Sequence, residues 1–106
     1  MNKYVSEINR SMQYLAKSKK TIFLGQSVAY PGSSIYVSLK NIKDNKKIEL
    51  PVFEETQMGM TLGLALEGYI PISCFPRFDF LILAINQLIN HIDKIDYITD
   101  NKFNSK

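Results

Sequence analysis

Along the first stretch of the chain, Tyr4, Val5, Ile8, Met12, Leu15 and Ala16 recur three or four residues apart. That spacing predicts an amphipathic helix from about Asn2 to Ser18. Thr21-Ile22-Phe23-Leu24 is a short apolar, partly β-branched run that stops at Gly25, the pattern of a buried strand. Gln26 to Ser34 carries Pro31-Gly32-Ser33-Ser34 and reads as a loop. Ile35 to Ile42 is ambiguous and is taken as a short helix, whereas Asp44 to Lys47 is polar and expected to be exposed. Ile48-Glu49-Leu50-Pro51 predicts a second strand, ended by a proline that has no N–H to offer a ladder.

From Glu54 to Glu67, Met58, Leu62, Ala65 and Leu66 mark one helical stripe, and Gly68 supplies a C-terminal stop. Ile70 to Phe75 predicts a third strand. Asp79 is expected to cap a last helix with an apolar stripe of Leu81, Ile85, Leu88, Ile92 and Ile95. Phe80-Leu81-Ile82-Leu83-Ala84-Ile85 is apolar all round, which predicts burial on every side. In so short a chain, part of that burial must come from another subunit or from further sequence. Helices and strands alternate throughout, so the expected fold class is α/β: three layers, a mainly parallel sheet flanked by helices.

Composition narrows the picture. The chain has 106 residues, room for one domain, and is 45% hydrophobic and 11% aromatic, a globular rather than a disordered composition. Its net charge of +3 is local. Lys17, Lys19 and Lys20 form one cluster, and Lys40, Lys43, Lys46 and Lys47 another, at expected helix ends or in a loop where lysine is favourable anyway. Without stacking aromatics or base-reading side chains beside them, they read as solvated surface, not as a nucleic-acid interface. One cysteine, Cys74, permits no internal disulfide, and with one histidine no structural zinc site of the usual four ligands. No apolar run approaches the length of a membrane span, and the N-terminus lacks a signal-peptide pattern, so a cytoplasmic chain is expected.

The specific signal is a joint spacing. Pro51-Val52-Phe53-Glu54 is followed by Gly59-Met60-Thr61-Leu62-Gly63, then Ala65-Leu66-Glu67-Gly68, then Pro71. Phe78-Asp79-Phe80 and Gln87-Leu88-Ile89-Asn90 follow in register, and Gly25-Gln26-Ser27-Val28 with Tyr30-Pro31-Gly32 precede. Together they resemble the pyrimidine-binding domain of the beta subunits of thiamine-diphosphate-dependent 2-oxoacid dehydrogenases, relatives of transketolase. The resemblance covers nearly the whole chain. It implies a truncated thiamine-diphosphate-binding fold, residues 1–106 being a partial pyrimidine-binding domain with a polar tail over 99–106.

By the resemblance, Glu54 is the glutamate that hydrogen-bonds a ring nitrogen of the cofactor aminopyrimidine. The shared proton favours the imino tautomer of the neighbouring amine, which can then accept a proton from the thiazolium carbon. Phe80 falls where the family sets an aromatic ring against the pyrimidine, and Phe53 is a further candidate for the same cavity. The family often has a carboxylate where this chain has Cys74, a departure from its pattern. The family's Gly-Asp-Gly motif, which holds the diphosphate through a metal, does not occur. Thiamine diphosphate, with Mg2+ held by a partner chain, is therefore expected to bind only together with an alpha-type subunit or a second thiamine-enzyme chain, in a homo- or hetero-oligomer.

The plain readings stand beside these. A carboxylate in the first turn of a helix is favourable through the dipole alone, Phe80 in an apolar run is core, His91 among polar neighbours is surface, and Cys74 is a buried thiol. Gly59 and Gly63 form a small-xxx-small pair expected to pack closely against a partner helix. A fragment, a split subunit and a shortened non-catalytic relative all fit the length. The alternative function is accordingly a non-catalytic oligomeric assembly module that retains the fold.

Overall fold

The computed structural model describes residues 2–103. The chain forms α1 (Lys3–Leu15), β1 (Thr21–Gly25), α2 (Ser34–Ser38), a 3-10 turn (Asp44–Lys46) and β2 (Lys47–Glu49). It continues as α3 (Glu54–Leu66), β3 (Ile70–Cys74), α4 (Phe78–Ile82), α5 (Ile85–Gln87), a π turn (Leu88–Ile92) and α6 (Ile95–Ile98). The strands are all parallel in the order β2-β1-β3, with Phe23 opposite Ile72 and Leu24 opposite Ser73. The predicted α/β architecture is therefore present, with the chain crossing from β2 over β1 to reach β3.

Strand periodicity divides the core into two faces. Phe23, Val28, Leu39, Ile42 and Cys74 cluster with Met12, Ala16, Ile35 and Ile72 beneath α1 and α2. On the other face α3 packs against β1, β3, α5 and the π turn, burying Met58 and Ala65. Each fully buried Phe, Leu or Val contributes about 1.5–3 kcal/mol, so the central strand, with Phe23 and Leu24 both at 0% exposure, anchors the sheet. Asn9 ties α1 to the segment after β1: its Nδ2 donates to the Ser38 carbonyl at 2.9 Å, and its Oδ1 accepts from Gln13 and Asn41. The α3 stop is a Schellman motif. Tyr69 N–H donates to the Leu64 carbonyl and Gly68 N–H to that of Ala65, with Gly68 at φ +87°.

Several expectations need correction. β2 spans Lys47–Glu49, not 48–51; Leu50 N–H still extends the ladder by donating to the Gly25 carbonyl at 2.9 Å, and Pro51 lies beyond it. The 44–47 segment is not uniformly exposed. Lys46 Nζ folds back to donate to the Ser18 carbonyl at 2.6 Å, and the Lys47 side chain is only 4% exposed, its apolar stem covered while Nζ meets Asp44. β3 ends at Cys74, and the 35–42 helix contracts to Ser34–Ser38.

The last helix is neither continuous nor capped by Asp79. Arg77 occupies its N-cap position without a side-chain cap bond, and Asp79 lies within the first turn. The helix then breaks at Ala84, where φ is −102° and ψ 1°, and again at Lys94, with a five-residue π turn between. Helices hold mostly through packing of an apolar face, and this region is rich in β-branched isoleucine with little to pack on within the chain. Accordingly the 80–85 run is not buried on every side. Ala84 is buried, but Ile82 and Leu83 are each 59% exposed.

Candidate functional site

Chemistry-bearing residues collect at the C-terminal rim of the sheet, where three connections leave the strands: 26–33 after β1, 50–53 after β2 and 75–77 after β3. In an open parallel sheet, ligands bind at this rim, where neighbouring connections depart toward opposite faces. Here β1 leads to α2 on the α1 side, while β3 leads to the helices packed on α3. The crevice between these two exits has a volume of about 410 Å³ and is lined by Gln26, Ser27, Ser33, Ser34, Arg77 and Phe80, among others.

The rim is held by residues whose roles are not legible as motifs. The Glu49 carboxylate, at the end of β2, accepts three backbone N–H groups from the loop after β1. Ser27 donates to Oε1 at 2.7 Å, and Val28 and Ala29 donate to Oε2 at 2.8 and 2.9 Å. This clasp holds Ser27 at φ 59°, in the left-handed region that non-glycine residues rarely adopt. Gly25, just before, has φ +147°, and a Cβ there would lie 2.3 Å from the Cys74 carbonyl oxygen. Only glycine lets β1 and β3 approach so closely at the rim. Beside it Gln57 is 3% exposed, and its Nε2 donates to Ser73 Oγ at 2.9 Å and to the Cys74 carbonyl at 3.0 Å. The end of β3 is thereby pinned to α3.

Phe53 and Glu54 sit together at the start of α3, both half-buried; Phe53 is the N-cap residue and its carbonyl accepts from Gln57 N–H at 3.0 Å. Among the described residues the Glu54 carboxylate, in the first turn of α3, has no hydrogen-bond or ion-pair partner. Its neighbour Glu55 is engaged: Oε1 accepts from Asn86 at 2.6 Å and, more weakly, from Gln87 at 3.5 Å. Gln87 Oε1 in turn lies 2.7 Å from His91 Nδ1, on the exposed side of the helix, which is the surface role expected for His91. Asn86 and Gln87 thus meet α3 through polar contacts, while Asn90 bonds to Asn86 and Lys94.

Phe80 is half-buried in the crevice wall, with the Arg77 guanidinium 5.6 Å from its ring centroid, a cation–π arrangement. Phe53 and Glu54 are not among the residues lining this crevice, so within the isolated chain the three predicted site residues occupy the same rim but not one cavity. Gly59 faces Gln87 of the same chain, 3.6 Å from the position of an added Cβ, and Gly63 meets nothing within 4 Å. Only the first of the glycine pair therefore makes a close approach inside the chain. Cys74 is 8% exposed and burial pushes its thiol up to about 12, so it is an inert core group rather than a nucleophile. Among the described residues no cluster of His, Cys, Asp and Glu could hold a metal, and no helix is long and apolar enough to cross a membrane.

Comparison with known proteins gives the chain relatives. No family model matches the chain. It is 33% identical over 96 residues to the mitochondrial pyruvate dehydrogenase E1 component subunit beta of Homo sapiens, covering 87% of this chain and 27% of that protein. It is 28% identical over 93 residues to the corresponding beta subunit of Cyanidium caldarium, covering 85% of this chain and 28% of the relative. The beta subunit of Gracilaria tenuistipitata var. liui is 28% identical over 92 residues, covering 84% of this chain and 28% of that protein. The chain thus spans little more than a quarter of the length of these relatives. With its parallel sheet and flanking helices, the chain is similar over this length to pyruvate dehydrogenase E1 beta subunits, and the similarity supports a partial, beta-subunit-like transketolase domain.

Proposed function

We propose that this chain is the pyrimidine-side portion of a thiamine-diphosphate-dependent 2-oxoacid dehydrogenase beta-type subunit, with Glu54 activating the cofactor in an assembled complex. The observation that carries the reading is the state of Glu54. It is a half-buried carboxylate at a helix start on the ligand-binding rim, with no partner among the described residues. A group so placed is left free for a donor supplied from outside the chain. The half-buried ring of Phe80 supports the same reading, because a heteroaromatic ligand needs a flat apolar wall as well as a polar anchor.

When bound, the cofactor supplies carbanion stabilisation that no side chain can provide. In this reading a Glu54 carboxyl oxygen holds the proton shared with a ring nitrogen of the aminopyrimidine, Phe80 covers the ring face and Phe53 helps to exclude water. Mg2+ and the diphosphate belong to the partner, an alpha-type subunit, because this chain has no Gly-Asp-Gly motif. The similarity to pyruvate dehydrogenase beta subunits supports that choice of partner over a second copy. The similarity to pyruvate dehydrogenase beta subunits favours this reading over a non-catalytic assembly module.

The test is to mix the chain with a cognate alpha-type subunit and titrate thiamine diphosphate in the presence of magnesium. Saturable binding and 2-oxoacid turnover are expected. Glu54→Gln is expected to lower turnover by about 10²-fold or more, as for loss of a positioned acid–base group, while leaving assembly intact. Turnover indifferent to that substitution would overturn the reading.

A further inference from the structure

The crevice between the exits of β1 and β3 has a chemical character that the role of Phe80 does not use. Its polar lining consists of Gln26, Ser27, Ser33, Ser34 and Arg77, and it contains no aspartate or glutamate. Ser33 Oγ accepts from Ile35 N–H at 3.1 Å, which leaves its hydroxyl proton free to donate. Among the described residues the side chains of Gln26, Ser27 and Ser34 have no hydrogen-bond partner, and the Arg77 guanidinium has no carboxylate partner. These groups are donors not committed to other groups of the chain. One positive charge, three hydroxyls and an amide make a concavity suited to a small oxyanion.

The loop that carries part of this set is also held in place. Glu49 fixes the backbone of residues 27–29 through its three bonds, and the Phe80 ring supports the guanidinium at 5.6 Å. Arginine's planar fork suits a carboxylate or phosphate better than a lysine would. The lysine-lined hollow formed by Lys17, Lys43 and Lys46 is a weaker candidate, because Lys46 is already committed to the Ser18 carbonyl.

The geometry points to an oxyanion-binding subsite in this crevice, in which Arg77 provides the charge and Ser27, Ser33 and Ser34 provide neutral donors to a carboxylate or phosphate group. The subsite stands on the chain alone. In the assembled enzyme the anion is the charged end of the substrate, and that step only rests on the function proposed above.

The experiment is a titration of the isotope-labelled full chain, without cofactor, with inorganic phosphate in one arm and pyruvate in the other, followed by amide NMR at low salt. Saturable shifts confined to residues 26–34 and 76–80 are expected in at least one arm. The arm that responds tells whether the site prefers a phosphate or a 2-oxoacid carboxylate. Arg77→Gln is expected to weaken binding about tenfold or more, Arg77→Lys less, and Lys43→Gln not at all. Shifts that fail to saturate in both arms, that survive Arg77→Gln, or that fall instead on the lysine clusters would overturn the subsite. Because no cofactor is present, that failure is distinct from failure of the Glu54 test.

Discussion

Replacing Glu49 with glutamine alters almost nothing in size but removes half of a clasp. The carboxylate accepts one N–H on Oε1 and two on Oε2, at 2.7 to 2.9 Å. A glutamine in its best orientation keeps its oxygen on the Val28 and Ala29 side and turns its NH2 group against the Ser27 N–H, donor against donor. Hydrogen bonds to a charged acceptor contribute about 1.5–3 kcal/mol each and neutral ones about 0.5–1.5. One bond is lost and two are weakened, and partial solvent access places the total at roughly 2–4 kcal/mol. A domain of this size has only about 5–15 kcal/mol of stability in all. With a urea slope of about 2 kcal/mol/M, the middle of the usual range, the unfolding midpoint should fall by roughly 1–2 M. Amide exchange gives the local readout: Ser27, Val28 and Ala29 should lose protection before the core strands do. A variant with an unchanged midpoint and unchanged exchange at these three amides would refute the clasp.

Two further outcomes concern the end of β3. Gly25→Ala places a Cβ 2.3 Å from the Cys74 carbonyl oxygen at a backbone φ of +147°, and should cost about 3 kcal/mol or more, read as a collapse of the urea midpoint; a loss below about 1 kcal/mol would mean that the strand end relaxes freely. Cys74 has a folded-state pKa raised by burial from 9.0 to about 12, so its contribution is complete below pH 9 and lost as pH rises toward 12. Stability should therefore decline over that window, by at most a few kcal/mol. Cys74→Ala should flatten this decline, and a thiol reagent at pH 8 should label the wild-type chain only after unfolding.

Apolar periodicity carried most of the fold. The runs around Phe23, Ile48 and Ile72 marked the three strands, and Gly68 marked the end of α3, because local residue pattern and backbone freedom dominate at those places. The resemblance singled out Phe53, Glu54 and Phe80 as cofactor contacts, and the structure sets them at the starts of α3 and α4, after strand ends that the pattern had located. Where the pattern misled, the deciding contact lay elsewhere in the chain. The long stripe from Leu81 to Ile95 spelled one helix, yet with few partners to pack against it breaks at Ala84 and Lys94. Lys47 looked solvated, but its stem is covered by the fold.

The residues that build the rim were legible only as generic polar positions. Glu49 is one charged residue in a short strand until the loop twenty or so positions earlier folds back and offers it three N–H groups. Gln57 is a polar interruption in a helix until β3 arrives beneath it, and Arg77 is an isolated charge until the fold sets it beside Phe80 and the 26–34 loop on the lip of one crevice. The order of elements and the direction of the sheet follow from short-range preferences, which any window of the chain expresses. Donor–acceptor pairing across the rim depends on segments distant in sequence meeting at angstrom precision, and only the packed chain sets that.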